Sequence, residues 1–230
     1  VTRADGRTPD QLRPITFDVD VQPSPAASVA VSFGATRVLL AVSVEERTPP
    51  WRGDRGWLTA EYAMLPGSTS DRVRRDRSGP NGRAKEIERL LGRSLRAAVD
   101  LDALPPITIT VDADVLVADG GTRTAAITGG WVAVARALAS IDATAALHTQ
   151  VAAVSVGVVD GQVRLDLPYE EDGRAEVDMN VVATADGRLV EVQGTAEGAP
   201  FDRGQHDAML DLALAGTAEL AGLQRAAVAR

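Results

Sequence analysis

Apolar and polar residues alternate along segments 15–21, 27–33 and 37–44. Side chains at i and i+2 of a strand share one face, so this spacing predicts three strands. Pro23-Ser24-Pro25 and Phe33-Gly34-Ala35 supply turns between them, which makes the set a meander. Further strands are predicted over 57–64 and 107–117. Between these two, 67–82 is polar and arginine-rich and reads as an exposed loop. The period then changes over 84–99, where Ile87, Leu90, Leu91, Leu95 and Ala98 form a helical stripe. Lys85, Arg89, Arg93 and Arg96 fall on another face of that helix, which suits a polyanion, bulk solvent or ion pairs at a subunit interface alike.

The second half repeats the plan. A helix of small residues is predicted over 125–138, strands over 151–159, 163–167, 175–183 and 189–193, and a long helix over 203–227. Asp160-Gly161 and Asp186-Gly187 are hairpin turn pairs. Groups of strands alternating with single helices imply an α+β chain with helices packed on one side of mixed sheets. No linker divides it, so residues 1–230 read as one domain.

Composition narrows the chemistry. A chain of 230 residues buries roughly 70% of its unfolded surface, enough for a substantial core. It has no cysteine, which excludes disulfides, zinc thiolates and thiol nucleophiles and fits a reducing cytoplasm. His148 and His206 are its two histidines, and neither lies at a metal-ligand or triad spacing, so both read as surface or satisfied polar residues. No apolar stretch is long and uncharged enough to span a membrane, and no charged-then-apolar signal segment is seen. Because the sequence opens on Val1, it is expected to be trimmed or incomplete. The net charge of −8 argues at first against a polyanionic partner, but its distribution is uneven. Arg72, Arg74, Arg75, Arg77, Arg83 and the arginines of the following helix crowd one region, whereas acidic residues gather elsewhere, and such a local field steers a polyanion.

The run from Asp119 through Gly120, Gly121, Thr122 and Arg123 joins a strand to a small-residue helix through a glycine pair. Unpaired N–H groups and a partial positive charge at a helix N-terminus hold an anion, and Thr122 and Arg123 add a hydroxyl and a forked cation. The plainer reading is a strand-to-helix turn with Thr122 as N-cap. Farther on, Glu170-Glu171-Asp172 reads as a solvated acidic turn. In the strand after it, Asp178 lies with Glu176 and Asn180 on the face opposite Val177 and Met179.

Several runs occur together and in order: Asp5-Gly6-Arg7 with Leu12-Arg13-Pro14-Ile15, Gly56-Trp57-Leu58-Thr59-Ala60-Glu61-Tyr62, Arg89-Leu90-Leu91-Gly92-Arg93, Tyr169-Glu170-Glu171-Asp172, Ala175-Glu176-Val177-Asp178-Met179-Asn180 and Val192-Gln193-Gly194-Thr195. With the glycine turn, they make a chain that resembles the ribonuclease PH family over nearly its whole length. The resemblance implies the ribosomal protein S5 domain 2-like fold and a phosphate-dependent 3′→5′ exoribonuclease that trims RNA, tRNA precursors above all, and releases nucleoside diphosphates. It implies phosphate binding by Arg83, Gly121, Thr122 and Arg123, and paired acidic residues Asp172 and Asp178 that hold Mg²⁺. Asp178 is alternatively an acid for the departing oxygen. It also implies RNA rather than DNA as partner and a homo-hexamer built as a trimer of dimers.

Phosphate is itself the nucleophile in such a reaction, which agrees with the scarcity of imidazole and thiol here. Arg72, Arg74 and Arg75 are the candidate RNA contacts, since flexible arginines follow a backbone and stack on bases. The chain departs from the family at Gly67, where an arginine is common, and in a short connection over 139–150. Two competing classes are a catalytically silent RNA-binding ring subunit and a metal-dependent hydrolytic nuclease. The first has no need of an intact acidic pair, and the second has no need of a phosphate pocket.

Overall fold

A computed structural model describes residues 3–75 and 82–230. The alternation in the first half forms β1 (Ile15–Val19), β2 (Ala27–Phe33), β3 (Thr36–Glu45), β4 (Trp57–Met64) and β5 (Thr108–Val117). They make one sheet in the order β1-β2-β3-β5-β4. The first three pair as the expected meander, and β5 runs antiparallel to β3 but parallel to β4. A parallel neighbour needs a crossover, here supplied by α1 (Gly82–Arg96), which packs on β4. The helix ends three residues before the expected boundary, and Ala97, Ala98 and Val99 continue it only as a bonded turn.

The second sheet, β7-β6-β8-β9, is antiparallel throughout. It comprises β6 (Val151–Val159), β7 (Gln162–Leu165), β8 (Val177–Thr184) and β9 (Leu189–Ala196). Asp160 and Gly161 both take positive φ in the β6–β7 turn, the conformation that a tight hairpin demands. Helix α4 (Arg203–Val228) packs on β6, β7 and β8 and opens with a capping box between Asp202 and Gln205.

Helix α2 (Thr122–Ser140) joins the two sheets. It is apolar nearly all round, as a helix covered on all sides must be, and it packs on β2 and β3 of one sheet and β6 of the other. Gly129 permits that approach, because a Cβ there would lie 2.6 Å from Val31 Cγ1. Thr128 satisfies its hydroxyl by exchanging hydrogen bonds with Ala153 of β6. One continuous apolar core thereby runs through both sheets, and the N-terminus of α2 sits where they meet α3 (Tyr169–Asp172), a single helical turn.

Candidate active site

Strand β5 ends at a turn in which Gly120 and Gly121 take φ of 74° and 66°, a region that glycine enters without a Cβ penalty. The turn lies against the segment entering α3: a Cβ on Gly120 would sit 2.5 Å from the Leu167 carbonyl oxygen and 2.8 Å from the Tyr169 nitrogen. No acceptor among the described residues takes the backbone N–H of Gly120, Gly121, Thr122 or Arg123. With the aligned peptide dipoles of α2 behind them, such donors are of the kind that can hold an anion. Thr122 is not the N-cap. That position belongs to left-handed Gly121, which makes no side-chain cap, and the Thr122 hydroxyl instead shares a 2.8 Å hydrogen bond with the buried Tyr62 hydroxyl. Arg123 uses Nη1 to reach Gln193 Oε1 at 3.3 Å and Glu86 Oε1 at 3.4 Å, and its other N–H groups have no acceptor among the described residues.

Two carboxylates complete the site. Asp172 ends α3, and Asp178 lies on β8 opposite Thr195 of β9. Burial pushes the Asp178 carboxyl up to about 6, and the like charge of Asp172 adds to the rise. Arg123 and Arg83 act in the opposite direction without prevailing, and Glu197 reinforces the rise. Asp172 is also raised, again by burial first, against the charges of Arg123, Arg83 and Arg13. Asp178 Oδ1 is buried without a hydrogen-bond partner, a costly state for a carboxylate unless a ligand supplies the missing bond. Among the described residues no three His, Cys, Asp or Glu side chains gather as a metal site. Asp172 and Asp178 stand as a pair.

The fold therefore brings Arg83, Arg123, Asp172 and Asp178, drawn from three helices and one strand, within electrostatic reach of one another. A hollow of about 540 Å³ is lined by Glu86, Arg123, Asp178, Asn180, Gln193 and Thr195. A second, of about 600 Å³, has Arg74, Arg75 and Arg83 on its lining with Glu61, Asp112 and Asp114. Arg72 is exposed beside them, and Arg77 lies outside the described residues.

Some expectations change. Glu171 is not part of a solvated turn but is buried, with Arg3 bonded to both its oxygens and Arg164 to one. The basic face of α1 is partly engaged inside the fold: Arg93 pairs with Glu191, and Arg96 donates to the Leu58 carbonyl at 3.1 Å with its guanidinium 4.7 Å from the Trp57 ring. Both histidines fit the plain reading, His148 being exposed and His206 bonded to Asp207. Sequence pattern does not mark Tyr62, Gln193, Asp166 or Arg13 as site residues. Arg164 is missed as well, since alternation with Val163 and Leu165 reads it as a residue of the solvated strand face, and its burial against Glu171 is set by the tertiary fold.

Two family models account for most of the chain: domain 1 of the 3′ exoribonuclease family matches residues 11–139, and domain 2 matches residues 149–216. The chain belongs to the 3′ exoribonuclease (ribonuclease PH) family. Ribonuclease PH of Saccharopolyspora erythraea is 57% identical, over 100% of this chain and 95% of its own length. Ribonuclease PH of Nocardia farcinica is 56% identical, over 99% and 92%. Among solved structures, rice (Oryza sativa) Rrp46 superposes with a TM-score of 0.82 at 21% identity, covering 98% of this chain and 100% of that one. An Archaeoglobus fulgidus exosome with RNA bound to the active site gives 0.82 at 21%, covering 96% and 92%. These two establish the shared α+β fold of the family. Gly67, expected to depart from the family, is not imposed by packing, because a Cβ there meets nothing within 4 Å.

Proposed function

We propose that the protein is a phosphate-dependent 3′→5′ exoribonuclease that shortens tRNA precursors and other RNAs and releases nucleoside diphosphates. The observation that carries this reading is the row of unaccepted N–H groups from Gly120 to Arg123, in a turn whose Arg123 acts with Arg83 on two raised carboxylates. Inorganic phosphate seated on Gly121, Thr122, Arg123 and Arg83 attacks the terminal phosphodiester in line. The bond from phosphorus to the 3′ oxygen of the preceding nucleotide breaks, and the terminal nucleotide leaves as its 5′-diphosphate. Holding two mutually repelling anions together is the main task, and fixed cations and N–H dipoles perform it without reorganising.

Asp172 and Asp178 fit a Mg²⁺ ion, which takes one or two carboxylates and completes its shell with water and substrate phosphate oxygens. Its contribution when bound is charge neutralisation at the departing 3′ oxygen. The unpartnered Asp178 Oδ1 supports that assignment. A second reading has its own support, since a carboxyl at about 6 also exists protonated near neutrality and can give its proton to the 3′ oxygen. The pH profile separates them. A ligand role requires the carboxylate, so rate rises with pH with a midpoint that moves down as Mg²⁺ is raised, whereas an acid role makes the rate fall as pH rises.

The assembly we propose is a homo-hexamer arranged as a trimer of dimers, acting in the cytoplasm, and the continuous core supports treating 1–230 as one domain. No helix among the described residues is long and apolar enough to cross a membrane. The silent-subunit alternative is disfavoured by the intact arginine and carboxylate set, and the hydrolytic one by the anion seat. Product analysis tests the reading. RNA with a free 3′ end is expected to shorten only with phosphate, or arsenate in its place, giving nucleoside diphosphates when phosphate is used. Equal shortening in phosphate-free buffer, with nucleoside monophosphates as product, would overturn it.

Arg72, Arg74 and Arg75 are proposed to guide the RNA backbone. Neutralising all three is expected to weaken binding of tRNA precursors far more than it slows phosphorolysis of a saturating short oligonucleotide. The salt dependence of binding should drop by roughly one unit of slope for each arginine–phosphate pair removed. Unchanged affinity and slope in the triple variant would remove this segment from the RNA path.

A further inference from the structure

The N-terminal run containing Asp5-Gly6-Arg7 and Leu12-Arg13-Pro14 supplies none of the groups assigned above to phosphate, yet it enters the site. Arg13 is buried and pairs side-on with Asp166, Nε to Oδ2 at 3.0 Å and Nη2 to Oδ1 at 2.7 Å. Its backbone N–H donates to the same carboxylate at 2.8 Å. The guanidinium then reaches the glycine turn, with Nη1 on the Asp119 carbonyl at 2.6 Å and Nη2 on that of Gly120 at 3.4 Å. Thr36 closes the other side, donating to the Gly120 carbonyl at 2.7 Å and accepting from the Asp119 N–H at 2.9 Å.

In a planar trans peptide the C=O and the next N–H point in opposite directions. Holding the carbonyls of Asp119 and Gly120 therefore fixes the direction of the N–H groups of Gly120 and Gly121, which have no acceptor among the described residues. Asp166 takes a positive φ of 53° and is fully buried, and its carbonyl accepts from Arg3 at 2.9 Å and Arg7 at 3.1 Å. A non-glycine residue held in that strained region marks a position over-determined by its surroundings. Asp166 also starts the segment that leads through Pro168 into α3 and Asp172. One buried ion pair thus links the phosphate turn to the segment carrying a catalytic carboxylate.

We infer that Arg13, clamped by Asp166 and assisted by Thr36, is a positioning residue that aims the Gly120 and Gly121 N–H groups at the attacking phosphate and fixes their turn against the Asp172 segment. The inference rests on the phosphorolytic reading. Its test is steady-state phosphorolysis of a single-stranded oligonucleotide at varied phosphate, with oligonucleotide Kd measured separately in phosphate-free buffer. Arg13→Lys keeps a charge for Asp166 but lacks the planar fork that spans two carbonyls. Thr36→Val removes the hydroxyl bridge and leaves the ion pair intact.

Each variant is expected to raise the KM for phosphate by ~10-fold or more, the scale of a small misplacement at a reacting centre, with oligonucleotide Kd within about twofold of wild type. A general loosening of the fold would instead lower the melting temperature and weaken RNA binding in parallel. If Arg13→Lys does not fold, Thr36→Val decides. Folded variants with wild-type KM for phosphate, in a wild-type background that is phosphate-dependent, overturn this inference alone. Phosphate-independent shortening by the wild type overturns the functional reading and this inference with it.

Discussion

Arg123→Ala is expected to lower kcat/KM for phosphorolysis by at least about a hundredfold. Arg123 touches several parts of the site: it lies in the first turn of α2 beside the N–H row, it bonds Gln193 and Glu86, and with Arg83 its charge opposes the rise of both Asp172 and Asp178. Removing it withdraws a charged donor from the attacking phosphate and leaves two half-buried carboxylates with less compensation. Deleting one such transition-state interaction costs roughly 3 kcal/mol, on the order of a hundredfold in rate. Part of that cost is ground-state affinity, so saturating phosphate should recover some of the rate. A phosphate titration of the folded variant checks this, and near-normal activity at ordinary phosphate would exclude Arg123 from the site.

Asp178→Asn is expected to lose activity on a similar scale, with no rescue by phosphate, and to gain stability. The Asp178 carboxyl is raised from 3.8 to about 6 in the folded protein, so its ionised form is penalised by folding. The stability associated with the protonated group is fully present below about pH 4 and is lost as pH rises through about 6. At about 1.4 kcal/mol for each pH unit, that loss is on the order of 3 kcal/mol above pH 7. An asparagine carries no such charge. In metal-free buffer the variant should therefore melt higher than wild type at pH 8, by roughly 2–4 °C for each kcal/mol in a chain of this size, with the difference closing by pH 4. Melting curves at the two pH values, beside a rate measurement, test both halves. A folded variant with near-normal activity, or one that melts lower at pH 8, would contradict this account of Asp178.

The opposite signs expected for activity and stability describe a site that carries electrostatic strain for function, as stability–activity trade-offs do. The same strain explains which parts of the molecule are legible in the linear chain. Strand β4, strand β5 and helix α4 follow directly from periodicity and turn residues, because each buries one repeating face and local pattern suffices. The glycine pair before α2 is legible for a similar reason, since positive φ at two successive positions has few other solutions. The boundary of α2 is not. Its first turn is held by a tyrosine from β4, sixty residues upstream, rather than by a local cap.

Acidic residues show the limit most clearly. Glu171 and Asp172 are neighbours of the same charge type in a polar run, yet one is buried between Arg3 and Arg164 and the other is a raised carboxyl in the site. Nothing in their local pattern separates them, because burial and the identity of the partner depend on chain segments far away, Arg3 being 168 residues upstream of Glu171. Arg93 and Arg96 likewise share a helical face with Arg89, and only the position of β4 and β9 decides that two of them are engaged internally.

By itself the sequence determined the element order, the apolar faces, the glycine turn and, through its ordered motifs, membership of the family. These depend on local spacing and on residue identity, both present in the linear chain. Tertiary structure alone decided which charges meet: that Arg13 and Asp166, 153 residues apart, clamp the glycine turn, and that Asp178 is buried with an unpartnered oxygen beside Asp172. Desolvation and Coulomb energy vary steeply over a few ångströms, and those distances exist only after the two sheets have closed on α2.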